Sequence, residues 1–268
     1  MTTVKTAVHF TDQYLITPTN PVTVNLIGAG GTGSQMLTAL ARMNHSLVAL
    51  GHAGLLVHLY DDDRVSEANL GRQLFADAEL GMYKSVALVN RINRFFGMNW
   101  KAVTKKYSAT NLHTFPEDGK ANMTISCVDT IAARFEIAEI LQSIEHETRY
   151  RRAQPKYWMD MGNSRYTGQV LLSTVAAIKQ PTSERYITVS ELPMITTEYG
   201  DILKSQSDSD EPSCSLAEAL EKQDLFINST LANIGASLLW NLFREGMTEN
   251  RGFFLNLKDY RLQPLKLA

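Results

Sequence analysis

The sequence predicts an α/β protein: a mostly parallel sheet with flanking helices, and a second half built on a mixed sheet with a crossover loop. Three observations carry this expectation. A short apolar run, VTVNLI at residues 22–27, leads straight into the glycines of GAGGTGSQ. Strand-like runs then alternate with helix-period segments, and that β-α-β-α-β order implies parallel strands joined by crossovers. Past about residue 150 the pattern shifts to longer strands and a polar, apolar-poor stretch.

Each element has its own signal. After the glycines, Met36, Leu37, Leu40, Leu47 and Val48 recur at helical spacing and predict a helix near 33–50. LLVHLY at 55–60 reads as a strand and ends in three aspartates. A long polar loop follows, then the amphipathic YKSVALVNRINRFF at 83–96 and a candidate strand, KAVTKKY, at 101–107. MTISCV at 123–128 is a buried strand, followed by the helix TIAARFEIAEILQSI. In the second half a basic tether, RYRRAQPK, precedes the strands YWMDMGN and GQVLLSTVAAI. The polar run over 201–214 predicts a mobile crossover loop. Helical sequence from about 215 to 245 and a final strand, GFFLNL at 252–257, close the chain.

Composition bounds the function. At 268 residues and 44% hydrophobic the chain can bury the core of an enzyme-sized unit. A net charge of −2 with scattered lysines and arginines leaves no footprint for nucleic acid and no basic membrane-binding helix, so small molecules or proteins are the expected partners. No run approaches the roughly 18 apolar residues of a membrane span. MTTVKTAVHFTDQYL lacks the cationic and apolar regions of a signal peptide, so the expected location is cytoplasmic. Only Cys127 and Cys214 are present, which excludes a disulfide framework and any paired C-x-x-C zinc site.

Gly28, Gly30 and Gly33 fit G-x-G-x-x-G, with Gly31 between them. Glycine lets a backbone turn tightly and approach a ligand, and the following helix aims N–H groups and its positive dipole end at an anion. This makes the unit Rossmann-like, although a plain tight turn would carry the same letters. Parallel sheets bind ligands at the carboxyl ends of their strands, so Gly28–Gly33, Asp61–Asp63 and Asp129 should converge on one crevice. Asp61 stands where a dinucleotide fold would engage the ribose, while Arg72 and Lys84 are two cations suited to a triphosphate or, alternatively, to ordinary solvated surface.

The blocks GAGGTGSQ, DDDRVSEANLGRQ, Lys84 and CVDTIAAR together resemble the E1-like adenylating superfamily, the ThiF/MoeB/HesA relatives of ubiquitin-activating enzymes. The wider chain, including VHFTDQYLITPTNPVTVNLIGAGGTGSQ and PSCSLAEAL, is similar to the ThiF-related group of the PRTRC cassette carried on bacterial mobile elements. The resemblance implies one adenylation domain over 1–268, with a nucleotide-binding half at 1–140 and a partner-binding and dimerisation half at 150–268. It implies ATP and Mg²⁺, a homodimer, and a small ubiquitin-like β-grasp protein whose C-terminal carboxylate is adenylated.

The family motif places its nucleotide contacts on Gly28, Gly30, Gly31, Gly33, Asp61, Asp63, Asn69, Arg72, Gln73 and Lys84. Its metal-holding aspartate falls on Asp129, with the following arginine at Arg134. In this scheme Asp61 fixes the ribose, Arg72 and Lys84 pair with the outer phosphates, and Asp63 and Asn69 orient the loop or touch the nucleotide. Asp129 can equally be read as a helix N-cap. Many members carry an N-terminal Arg-Tyr-x-Arg-Gln segment whose arginine crosses the dimer to ATP, but the 21 residues ahead of Val22 contain no arginine. No zinc is expected.

Cys127 sits inside an apolar strand and reads as a small hydrophobe. Cys214 follows an acidic loop and precedes a helical stretch, where a helix dipole lowers a thiol's pKa. EPSCSLAEAL resembles the segment at which ubiquitin-activating enzymes form their thioester, which implies transfer of the adenylated partner to Cys214. Two other readings stay open: an NAD-dependent oxidoreductase, and a nucleotide-binding scaffold whose chemistry has lapsed.

Overall fold

The computed structural model describes residues 5–114, 119–147, 153–205 and 222–268. Its elements in chain order are β1 (Thr6–Phe10), α1 (Gln13–Ile16), β2 (Val22–Ile27), α2 (Gly31–Ala49), β3 (Leu55–Tyr60), α3 (Lys84–Phe96), β4 (Lys101–Val103), α4 (Ala109–Thr114), β5 (Met123–Ser126) and α5 (Ile131–Glu147). There follow β6 (Tyr157–Asn163), β7 (Thr167–Thr174), β8 (Tyr186–Thr188), α6 (Ile195–Glu198), α7 (Gly200–Ser205), α8 (Ile227–Glu245), β9 (Met247–Thr248), β10 (Asn250–Asn256) and β11 (Arg261–Lys266).

Eight strands form one sheet in the order β11-β10-β7-β6-β5-β2-β3-β4. From β4 through β3, β2 and β5 to β6 every pairing is parallel, and β7, β10 and β11 continue the sheet antiparallel. This is the expected α/β class, Rossmann-like in its first half and mixed in its second. A small second sheet, β8-β1-β9, lies apart from it.

Helices cover both faces, so a strand here is buried at successive positions, not only at alternate ones. Along β6, Tyr157, Met159 and Met161 join the core formed with α2, α3 and α8, while Trp158 joins the opposite core with Ile137, Leu141 and Ile144 of α5. Along β7, Val170 and Leu172 face the first core and Leu171 the second. The parallel strands therefore place all their carboxyl ends on one rim of a doubly covered sheet.

Several boundaries differ from the sequence expectation. The strand expected over 101–107 is paired only at Lys101–Val103, because β4 is the edge and its single neighbour runs out. The start of the expected loop over 201–214 is helical: α7 spans Gly200–Ser205, with Asp201 in its first turn and Lys204 in its last, a charge order that suits the helix dipole, and Leu203 buried. Residues 206–214 lie outside the described residues. Among the described residues, no helix is long and apolar enough to cross a membrane.

Candidate functional site

The site starts from the turn between β2 and α2. Gly28 has φ +92°, and a Cβ there would stand 2.6 Å from the Cys127 carbonyl oxygen. A Cβ on Gly33 would stand 1.8 Å from the Gly28 carbonyl oxygen, so the first turn of α2 packs backbone against backbone on the strand end. Gly31 is held equally close by the Asn228 amide, 2.4 Å from its ideal Cβ. At Gly30 no atom of the described residues lies within 4 Å of the ideal Cβ. Three glycines are thus fixed by packing and the fourth borders open space. That space is a cavity of about 370 Å³ at the carboxyl ends of the parallel strands.

Asp61, directly after β3, binds the glycine turn. Its Oδ2 accepts from the Ala29 N–H at 2.6 Å and its Oδ1 from the Asp63 N–H at 2.9 Å. Burial pushes its carboxyl up to about 6, against the opposing pull of the Lys84 ammonium and the two backbone donors. The Lys84 ammonium is 2.8 Å from Asp63 Oδ2, and the Lys84 side chain is 10% exposed against 69% for Asp63.

Arg72 lines the same cavity as this pair. One guanidinium N–H donates to the Gln223 side-chain oxygen, which also accepts from Asn228 Nδ2 at 3.0 Å. Among the described residues, Arg72 Nε and the neighbouring Gln73 Oε1 are both buried without a hydrogen-bond partner. Desolvation by burial lowers the Arg72 pKa. Asn69 does not line the cavity. Its side-chain oxygen accepts from Ser66 N and Oγ at 2.9 and 3.1 Å, and its backbone carbonyl takes the Gln73 N–H at 3.0 Å, so it shapes the turn that presents Arg72 and Gln73.

Asp129 follows β5 and is exposed on the cavity wall. It is not the cap of α5. That place is taken by Thr130, whose hydroxyl accepts from the Ala133 N–H at 3.3 Å. Cys127 also borders the cavity, half-buried, just beyond β5, and burial raises its thiol pKa far above the ordinary range. A thiol so held is a poor nucleophile at neutral pH.

Of the residues singled out from sequence, Gly28, Gly30, Gly31, Asp61, Asp63, Arg72, Gln73, Lys84 and Asp129 line this one cavity. Gly33 and Asn69 stand behind it as packing and turn-forming groups, and Cys214 lies outside the described residues. The same wall holds Thr32, Lys106, Tyr107, Asn163, Gln223 and Asn228, which sequence reading missed. Lys106 and Asn163 were findable, since each follows or ends a parallel strand. Gln223 and Asn228 come from the α8 region and carry no local signal. Among the described residues no cluster of three His, Cys, Asp or Glu could hold a metal by itself.

Residues 19–263 match the ThiF family. Over 126 residues the chain is 28% identical to ubiquitin-like modifier-activating enzyme 5 of Culex quinquefasciatus, a span that covers 42% of this chain and 29% of that enzyme. This chain therefore spans under a third of that curated relative. The crystal structure of PaaA aligns with a TM-score of 0.60 at 16% identity over 92% of this chain and 73% of that one. E. coli MccB with ATP aligns with a TM-score of 0.54 at 14% identity, over 92% and 63%. Both share the fold of this chain.

Two measurements check the site geometry. Gly33→Ala should lower the thermal midpoint, by a loss of about 1–3 kcal/mol or more, because its Cβ meets backbone that cannot yield. Gly30→Ala, which meets no described atom but puts a poorer N-cap on α2, should cost less, about 1 kcal/mol at most, and an equal loss there would show the position packed, not open. The raised Asp61 carboxyl gives the second test. Its folded pKa, about 6, exceeds the unfolded 3.8, so the native state binds the extra proton in that window and stability falls as pH rises through it. Asp61→Asn removes this loss, so the difference in melting temperature, variant minus wild type, should grow from pH 4 to pH 7. A flat difference contradicts the assignment.

Proposed function

The chain belongs to the ThiF family, and on that premise we propose that it is an E1-like adenylyltransferase that uses ATP to activate the C-terminal carboxylate of a ubiquitin-like β-grasp protein. The observation that carries the reading is Arg72. A partly buried guanidinium whose Nε has no hydrogen-bond partner among the described residues, lining the same cavity as Lys84 and the glycine turn at the start of a 19-residue helix, fits an anion of high charge. The ubiquitin-like substrate class rests on the mosquito relative's activity and on the sequence blocks.

In this reading ATP is the substrate. The partner's carboxylate oxygen attacks the α-phosphorus, the bond to the bridging oxygen of the β-phosphate breaks, and pyrophosphate leaves with the electron pair. The chain supplies positioning and charge neutralisation. Arg72 and Lys84 bind the outer phosphates, Lys84 exchanging its exposed partner Asp63 for a phosphate oxygen. Gly30 leaves room for the nucleotide, and Asp61 orients the turn and meets the ribose. Asp129 fits a Mg²⁺ role, since that ion is commonly held by one or two carboxylates together with substrate phosphates. When bound, Mg²⁺ neutralises phosphate charge.

The same reading has residues 1–140 bind nucleotide and residues 150–268 receive the partner and form a homodimer, with the chain acting as one adenylation unit in the cytoplasm. It assigns the chain to the ThiF-related group of the PRTRC cassette. Transfer to Cys214 follows adenylation: the thiolate attacks the acyl carbon, a thioester forms and AMP leaves.

ATP–pyrophosphate exchange with a candidate β-grasp partner present and absent is the decisive experiment. Exchange should require the partner's carboxylate. Arg72→Ala and Asp129→Ala should each lose on the order of 10²-fold, the scale of one preorganised electrostatic contact, and the exposed control Lys101→Ala should lose nothing. Equal loss in the control, or exchange that ignores the partner, overturns the reading. Cys214→Ser should keep exchange but lose the reductant-sensitive adduct on a non-reducing gel. Persistence of that adduct removes Cys214 from the scheme.

A further inference from the structure

We propose that Asp160, on β6 in the second half of the chain, is a positioning residue that sets the Asp129 turn through Arg134. The inference rests on reading Asp129 as the holder of Mg²⁺. Arg134 leaves the first turn of α5 with its side chain 7% exposed, and its Nε donates to Asp160 Oδ2 at 3.1 Å. Its other two nitrogens reach the peptide carbonyls on either side of Asp129: NH2 to Val128 O at 2.8 Å and NH1 to Thr130 O at 3.3 Å. One guanidinium therefore fastens both flanks of the exposed acid, and its five rigidly spaced donors suit that task where a lysine's point charge does not.

Asp160 is itself fixed. Its side chain is 1% exposed, and its Oδ1 takes the Ser126 hydroxyl at 2.6 Å, which in turn accepts from Trp158 Nε1 at 2.8 Å. Two residues along β6, on the same face, Gly162 leaves the slot that Arg134 fills: a Cβ there would stand 2.6 Å from NH2. A buried ion pair is weak evidence for stability, because apolar residues of like volume often serve as well. This one does more than fill the core, since the arginine bonds the backbone on both sides of a single cavity-lining carboxylate.

Binding of Mn²⁺, a paramagnetic stand-in for Mg²⁺, measured by electron paramagnetic resonance on the full chain with ATP, tests the proposal. Arg134→Lys keeps a cation beside Asp160 and loses the fork to Val128 and Thr130. It should weaken Mn²⁺ binding about 10–100-fold, the range for residues that orient a metal ligand. In the exchange assay the KM for Mg²⁺ should rise with kcat restored at saturating Mg²⁺. Asp160→Asn should behave alike, and should it fail to fold, Ser126→Ala, which removes a donor to Asp160 together with the acceptor of Trp158 Nε1, should show a smaller loss of the same kind. Arg251→Lys is the control for general destabilisation, as Arg251 is equally buried and bonded to Glu198 and Pro193 outside the cavity wall. Wild-type Mn²⁺ affinity in Arg134→Lys, or a kcat loss that Mg²⁺ does not rescue, overturns this inference alone. A wild-type chain that binds no Mn²⁺ with ATP overturns the Mg²⁺ reading as well.

Discussion

Everything at the site depends on how closely the backbone of β2 is approached by its neighbours. The end of this strand is met on one side by the carbonyl of Cys127 and on the other by the first turn of α2, at separations that leave no volume for a Cβ on Gly28 or Gly33. The sheet and the helix are therefore joined through main chain, and side chains are excluded from the junction. Since no side chain fills it, the crevice above the strand ends stays open and the leading N–H groups of α2 face into it. Gly30 alone borders that opening without being pressed, so packing and ligand space are divided among neighbouring glycines.

The charges around the crevice fall into two kinds once burial is weighed. Lys84 and Asp63 form an ion pair in which the cation is buried and the acid is mostly exposed, so the acid is screened by solvent and free to move away. A phosphate oxygen can displace the carboxylate at little cost. Arg134 and Asp160 are buried together, and separating them would cost about 3–5 kcal/mol, so that pair does not exchange. Asp61 stands between these cases: it is desolvated enough to raise its pKa, yet both its oxygens are committed to backbone donors. The exchangeable contacts face the cavity and the fixed ones hold its walls.

The first half of this arrangement was legible because each part lies in one stretch of sequence. A doubly covered parallel strand is buried at nearly every position and reads as an apolar-rich run, so VTVNLI, LLVHLY and MTISCV announced themselves even with Thr23, Asn25, Thr124 and Ser126 inside them, and the rule that ligands gather at strand ends placed Asp61 and Asp129 together. Exposed edge strands and short strands gave no such signal. β11, RLQPLK, is an exposed edge stretch, and β1 and β8 are short strands of the small sheet. Asn69 belongs to a matched block, but whether it touches a ligand or shapes a turn depends on hydrogen bonds that sequence does not display. Gln223 meets Arg72 from 151 residues away and Asn228 meets Thr32 from 196, and no spacing rule links them.

Those long-range contacts bear on how the two halves of the chain relate. The parallel pairing of β5 with β6 carries the sheet across the boundary without a break. At the rim of that junction the single proton of the Thr32 hydroxyl is shared between the side-chain oxygens of Asn163 and Asn228, at 3.1 and 2.9 Å, and Gln223 meets Arg72. Groups from the second half thus complete the hydrogen bonding of α2's first turn and of the cation facing the cavity. Any displacement of β6 or of the start of α8 must alter the wall of the crevice, because the polar atoms there are shared and not duplicated. The division into halves is one of sequence pattern, whereas the cavity is built by both.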